Sequence, residues 1–213
     1  MSIKKNLLAI IAAFTLLLIL AISSAVINRL NIMKNAWDLP EFSHEMGVEK
    51  EFMLSMRDGV KLRTLQQMPK GEGPWPTVLI RNPYNTLGTD LFNVVCELFV
   101  NYGYACVYQE TRGQMLSEGE WEPLVNEPKD TSDTLYWIAD QEWNDGNIGM
   151  WGVSYLALTQ WAGALDYPKE LKTFVPTSMG TDFHKIIYEK GNFRLFITLW
   201  VLLMPDRGVN VDG

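Results

Sequence analysis

What most limits the fold of this chain is a hairpin followed by short apolar runs that alternate with helically spaced ones. Residues 51–55 and 61–67 flank Arg57-Asp58-Gly59, and the Asp-Gly pair signals a tight antiparallel turn. Residues 77–81 (TVLIR) form a continuous apolar strand entered through the brake Gly73-Pro74-Trp75-Pro76. Within 91–102, Leu91, Val94, Val95, Leu98 and Phe99 recur at helical spacing, and 105–108 reads as a second buried strand. Residues 127–143 place Thr134, Leu135, Ile138 and Ala139 on one helical stripe, behind an acidic start that suits the helix dipole. A strand at 147–152, a helix at 155–165 and a strand at 171–175 continue the alternation. This order predicts an α/β fold, a mostly parallel sheet with helices on both faces and an antiparallel hairpin at its start. Dinucleotide binding is excluded, because no GxGxxG follows any strand.

Eight Trp, eight Tyr and nine Phe spread over 213 residues supply apolar surface for one sizeable core. The net charge of -7, with no Lys/Arg cluster, repels phosphate and argues against nucleic acid as a partner. Two His and no CxxC leave a metal site without its usual ligands, so no metal and no cofactor are expected. The two cysteines, Cys96 and Cys106, fall in a helix and a strand, where buried free thiols are the commoner outcome; a bridge is the alternative in an exported protein. Residues 1–26 stand apart. Lys4 and Lys5 precede an uncharged run, and Ser23-Ser24-Ala25 closes it in the pattern of an export signal. Residues 7–26 are also long enough for an uncleaved membrane anchor, an apolar N-terminal helix. Both readings put the main domain outside the cytoplasm.

The chemistry concentrates in Gly149-Met150-Trp151-Gly152-Val153-Ser154-Tyr155-Leu156-Ala157. A serine at a sharp turn between strand and helix is held exposed, with the first helical amides behind it aimed at whatever it attacks. Gly152 permits the close approach of the two elements that such an elbow requires. The GxS triplet alone is common, and from it Ser154 reads as a plain helix N-cap sooner than as a nucleophile.

The surrounding motifs add a resemblance. Arg81-Asn82-Pro83-Tyr84, then Thr111-Arg112-Gly113 with Ser117-Glu118-Gly119, then Asp130, Asp133, Thr134, Trp137, Ile138, Gln141 and Trp143, and finally GMWGVSYLALTQW closely resemble the CocE/NonD hydrolases of the X-Pro dipeptidyl-peptidase (peptidase S15) superfamily. The match runs from about Phe52 to Phe183 and departs from the family at Ala157, where a glycine is usual. It implies an α/β-hydrolase that transfers acyl groups from a small-molecule or peptide ester or amide to water. It also implies Ser154 as nucleophile, Tyr155 as donor of an oxyanion-hole backbone N–H, and Tyr84 as donor of the second oxyanion bond through its hydroxyl. A phenol keeps its proton at neutral pH and can donate to a developing oxyanion. Without the resemblance, Tyr84 reads as a turn tyrosine packed on Pro83. Arg112 and Glu118 are expected to fasten loops, and Asp130 and Asp133 to cap a helix.

The expected division is a signal or anchor at 1–26, a linker at 27–47, the N-terminal part of the hydrolase domain at 48–180 and the beginning of a helical cap at 181–213. The order Ser, acid, His is incomplete. After Ser154 the only histidine is His184, which falls where the resemblance puts the cap and not the general base. The chain is therefore expected to be truncated before its Asp and His and inactive by itself. A noncatalytic, membrane-tethered domain or gene fragment that keeps the shape of the site is the alternative. Residues 193–204 (FRLFITLWVLLM) are too short to span a bilayer and are expected to line an apolar acyl or alcohol pocket within the cap.

Overall fold

The computed structural model describes residue 24, residues 28–84 and residues 86–204, the side chains of 86–91, 183, 201 and 203 excepted. The apolar run at 7–26, read as signal or anchor, lies outside the described residues apart from Ser24. Among the described residues no helix is long and apolar enough to cross a membrane. The chain divides into two compact units, Met1–Phe42 and Ser43–Gly213. In the first, helix α1 (Arg29–Ala36) is followed by a turn in which Lys34 Nζ donates to Glu41 Oε2 at 2.6 Å and sits 5.5 Å over the Phe42 ring.

The second unit opens with a hairpin, β1 (Met46–Ser55) and β2 (Lys61–Pro69), closed by the Asp-Gly turn. There follow β3 (Trp75–Asn82), α2 (Thr86–Asn101), β4 (Ala105–Glu110), α3 (Glu127–Ala139), β5 (Asn144–Val153), α4 (Tyr155–Gly163) and β6 (Leu171–Thr177). Beyond the sheet lie α5 (Phe183–Ile187), a two-residue ribbon of β7 (Tyr188–Glu189) and β8 (Asn192–Phe193), and α6 (Leu195–Leu203). The six strands pair in the order β1-β2-β4-β3-β5-β6. The pairs β1–β2 and β2–β4 are antiparallel and the other three are parallel. β4 is buried along its whole length and β3 nearly so, which is why both read as unbroken apolar runs instead of alternating ones.

Side-chain alternation along β5 sorts the helices onto opposite faces. Met150 joins Leu79, Val107, Leu135, Ile138 and Ile148 in the core under α3. Trp151 meets Phe92 and Phe99 of α2 on the other side, with ring centroids 6.3 and 6.2 Å away. α2 lies over β4, and this settles the cysteines differently from the expectation of free thiols. Cys96 and Cys106 are bonded to each other, with Cα atoms 5.4 Å apart and both side chains fully buried. Burial was expected; the facing of helix and strand that brings the sulfurs together is tertiary and carries no local signal.

The acidic residues at the start of α3 also act differently from expectation. Asn126 occupies the N-cap position without a side-chain bond, and neither Asp130 nor Asp133 caps the helix. Asp130 accepts both Arg112 Nε at 3.0 Å and Arg112 Nη2 at 2.7 Å, while Asp133 accepts Arg57 Nε at 2.7 Å. Arg112 also pairs with Asp58 at 2.8 Å, so it ties the hairpin turn to α3. Glu118 holds the same loop, accepting the Lys61 N–H at 3.0 Å through its carboxylate and the Gly113 N–H at 2.9 Å through its carbonyl.

Burial separates the two arginines in energy. The Arg112 side chain is 10% exposed and its partner Asp130 2%, whereas Arg57 is 49% exposed. Removing one partner of a buried pair costs about 3 to 5 kcal/mol, so Arg112→Ala is expected to lower the urea midpoint sharply. Arg57→Ala should cost no more than about 1 kcal/mol. Equal losses in the two variants would contradict this ordering.

Candidate active site

The turn between β5 and α4 consists of Ser154 alone, with φ 56 and ψ -123. Positive φ in a residue with a side chain costs about 1 to 3 kcal/mol and persists only where the surroundings enforce it. Here the Ser154 N–H donates to the Thr177 carbonyl and its own carbonyl accepts from the Ala157 N–H, both at 2.9 Å. Gly152 completes the constraint. A Cβ there would collide with the Cβ of Leu156 and lie 3.1 Å from the Leu156 carbonyl carbon, so no larger residue fits. The Ser154 side chain makes no capping bond to α4, unlike a plain N-cap serine.

Instead, Ser154 Oγ accepts a hydrogen bond from Tyr84 Oη at 3.1 Å, and Tyr84 Oη accepts the Tyr155 N–H at 3.3 Å. The three residues singled out in the sequence thus meet within single hydrogen bonds of one another. Topology accounts for this. β3 and β5 are parallel neighbours, so the residues just past their carboxyl ends face each other although 70 positions apart. The next strand after β3 lies on its other side, and such a reversal of strand order opens a crevice at the sheet edge. Asn82 fixes the loop that carries Tyr84: its Oδ1 accepts the Tyr84 N–H at 3.1 Å and its Nδ2 donates to the Tyr84 carbonyl at 3.2 Å.

Tyr155 is anchored at both ends. Its hydroxyl donates to Glu127 Oε1 at 2.5 Å and accepts the Leu124 N–H at 2.9 Å. Burial raises the Glu127 carboxyl above its ordinary value, against the lowering pull of the Tyr155 hydrogen bond and of Arg81. Burial and the nearby Glu127 push the Tyr155 phenol well above the usual range, so it keeps its proton. Arg81, wholly buried, donates to Gln109 Oε1 at 2.8 Å and Thr131 Oγ1 at 2.6 Å, and desolvation lowers its pKa. Trp200 of α6 stacks on the Tyr155 ring, with centroids 5.9 Å apart and planes at 18°, and Trp121 meets Trp200 edge-on at 6.0 Å. Against Ser154 and the rings of Tyr155 and Trp200 lies a cavity of about 250 Å³, walled by Leu124, Leu158 and apolar residues of the segment after β6.

His184 is exposed and stacks on Tyr188 at 5.1 Å. Among the described residues no histidine or carboxylate hydrogen-bonds to Ser154 Oγ. Glu127, Leu124 and Trp121 are parts of the site that the sequence did not single out, whereas Trp200 falls within 193–204, the stretch expected to line an apolar pocket. Glu127 was read only as one more acid at a helix start, and nothing local distinguishes it.

A mostly parallel sheet with helices on both faces and a serine elbow at its carboxyl edge define the α/β-hydrolase fold. The family model for the X-Pro dipeptidyl-peptidase (S15 family) matches residues 58–208, and the chain belongs to that family. It is 42% identical over 141 residues to the cocaine esterase of Rhodococcus sp. (strain MB1 Bresler), an alignment that covers 65% of this chain and 25% of the relative. The chain therefore spans about a quarter of the length of that curated relative. Among solved structures, an α-amino acid ester hydrolase superposes with TM-score 0.63 at 28% identity over 79% of this chain and 31% of its own. A CocE/NonD family hydrolase from Staphylococcus aureus gives 0.62 at 27% over 75% and 32%.

Glu127 gives the site a signature in pH. A carboxyl raised in the folded state favours folding fully below its unfolded value of about 4.5 and loses that contribution as pH climbs through the folded value. Glu127→Gln keeps an acceptor for Tyr155 and removes the ionisation. Its urea midpoint is expected to gain on wild type as pH rises from about 4.5 toward neutrality. Parallel curves for the two proteins would mean that folding leaves this carboxyl's pKa unchanged.

Proposed function

We propose that this chain is the nucleophile-bearing part of an exported serine hydrolase that transfers acyl groups from esters or amides to water. One observation carries the reading: at a strained strand-to-helix turn, Tyr84 Oη lies 3.1 Å from Ser154 Oγ and 3.3 Å from the Tyr155 amide nitrogen, hydrogen-bonded to both. Ser154 attacks the carbonyl carbon. The carbonyl oxygen, as it gains charge, takes hydrogen bonds from Tyr155 N–H and Tyr84 O–H, each fixed before the substrate arrives and so needing little reorganisation. Collapse releases the alcohol or amine, and water cleaves the acyl-serine.

The general base comes from polypeptide outside these 213 residues, in the part of the family's length that the chain does not span. A serine hydroxyl is a weak nucleophile until a positioned base takes its proton. The names of the relatives offer two kinds of ester, that of cocaine and those of α-amino acids. Export draws on the patterned residues 1–26 and on the Cys96–Cys106 bridge, which suits an oxidising compartment.

The test compares this chain with a protein extended to the family's length, on an activated ester. The extended protein is expected to turn over rapidly and Ser154→Ala to cut kcat by about 10⁴-fold or more. In the 213-residue chain, His184→Ala should leave the slow rate unchanged; an abolished rate with the fold intact would make His184 the base and end the proposal. Fractionation of cells carrying a tagged chain should find it outside the cytoplasm with Cys96 and Cys106 resistant to alkylation. Recovery in the cytosol with two reactive thiols would sink the export.

A further inference from the structure

We infer that the cavity against Ser154 receives an uncharged, hydrocarbon-rich acyl group and rejects an acyl group that carries an α-ammonium. The inference rests on the serine-hydrolase reading and names the substrate class of that same site.

Size comes first. An apolar cavity of about 150 Å³ is enough for benzene, so the 250 Å³ here takes a ring with a short chain, or a branched alkyl group of similar bulk. Its walls come from three places: Leu124 in the loop before α3, Leu158 one turn into α4, and Met179, Ile187, Ile197 and Trp200 after β6. Ser154 stands on the same wall, so a carbonyl within reach of its hydroxyl has its substituent among these side chains.

Charge decides the rest. Among the described residues no acidic or basic side chain lines the cavity. The side-chain oxygen atoms at its edge are two neutral hydroxyls, each already hydrogen-bonded. Ser154 Oγ is bonded to Tyr84, and Tyr155 Oη is held between Glu127 and the Leu124 N–H. An ammonium here would exchange its water shell for a wall without a counter-charge, at a cost of several kcal/mol. Glu127 is the carboxyl nearest in the bonding network, but it is not part of the wall, and burial favours its neutral form. A hydrocarbon group loses nothing polar on entry and gains contact with Leu158, Ile197 and the Trp200 ring.

The test uses the 213-residue chain with Ser154→Ala, which keeps the cavity and cannot form an acyl-enzyme. Methyl 3-phenylpropanoate and L-phenylalanine methyl ester share one skeleton and differ only by the α-amino group. At about pH 6, below the ordinary α-amino range, calorimetric titration should find the first bound at least about tenfold more tightly. Ile187→Glu in the same background puts a carboxylate on the wall and should shift that ratio about tenfold or more toward the amino ester. Ile197→Glu serves in its place if the first variant loses its circular dichroism. Equal affinities, tighter binding of the amino ester, binding of neither, or a ratio unmoved by the wall carboxylate would each overturn the inference. None of these readings needs turnover, so failure of Ser154 as a nucleophile in the extended protein shows up separately.

Discussion

At Gly152 the fifth strand and the helix after it approach so closely that one added carbon would strike Leu156. That approach forces the chain to reverse within one residue, and Ser154 takes a positive φ as the result. Everything else at the site follows from where this turn points. Its first helical amide, on Tyr155, aims over the carboxyl edge of the sheet, and the tip of the neighbouring strand's loop brings Tyr84 to meet it. The strain is local, and the support is not. Thr177 at the end of β6 accepts the Ser154 N–H, while Gln160 ties the helix to β6 by accepting the Val175 N–H at 2.9 Å. The elbow is therefore held from both sides, as a strained residue must be.

A second layer holds the loop that forms one wall of the cavity. Residues 111–126 contain no regular element, yet they close over the site because charged groups fasten them at several points. Arg112 binds Asp130 and Asp58, Glu118 binds the backbone of Lys61, and the Leu124 N–H binds Tyr155 Oη. Arg63, hydrogen-bonded to Glu110 at 2.6 Å and Glu51 at 2.7 Å, extends the same pattern across the hairpin. Of these pairs Arg112–Asp130 and Arg63–Glu110 are largely buried, and such pairs contribute little net stability compared with apolar replacements while leaving a lone partner costly to bury. Their use here is consistent with a loop whose position matters more than its packing.

The centre of the sheet was legible because β3 and β4 are buried on both faces and read as unbroken apolar runs, with helices at plain 3.6-residue spacing between the strands. The elbow was legible because Gly152, Ser154 and a following helix are local in sequence, and the family resemblance named Tyr84 as their distant partner. Other features were not legible, for one physical reason. The Cys96–Cys106 bond depends on α2 lying over β4, the Asp130 and Asp133 pairs depend on arginines 18 and 76 positions away, and the Tyr155–Glu127 bond joins residues 28 apart. Local propensity reads the cysteines as free thiols and the two aspartates as helix caps, and tertiary contact gives them other roles. Element ends shifted for a related reason. α3 stops at Ala139 instead of 143 because Asp140, Gln141 and Asn144 turn back on the helix through bonds to Tyr136, Ile138 and Gln141, which frees the chain to enter β5.

The hydrogen-bond chain at the elbow bears on how its electrostatic half would work under the proposed mechanism. At rest Tyr155 N–H donates to Tyr84 Oη, and Tyr84 O–H donates to Ser154 Oγ, so neither donor is left unsatisfied while the site is empty. A carbonyl oxygen that settles beside them takes both bonds at once: the amide turns its donation from phenol to oxygen, and the phenol proton rotates away from Ser154. That exchange keeps the count of hydrogen bonds nearly constant. It also removes a donor from Ser154 Oγ when that atom must attack, so substrate arrival itself strips the nucleophile of a bond that would blunt it. The proton on Ser154 is then the one group in the cluster without an acceptor, and the general base meets a single, defined task.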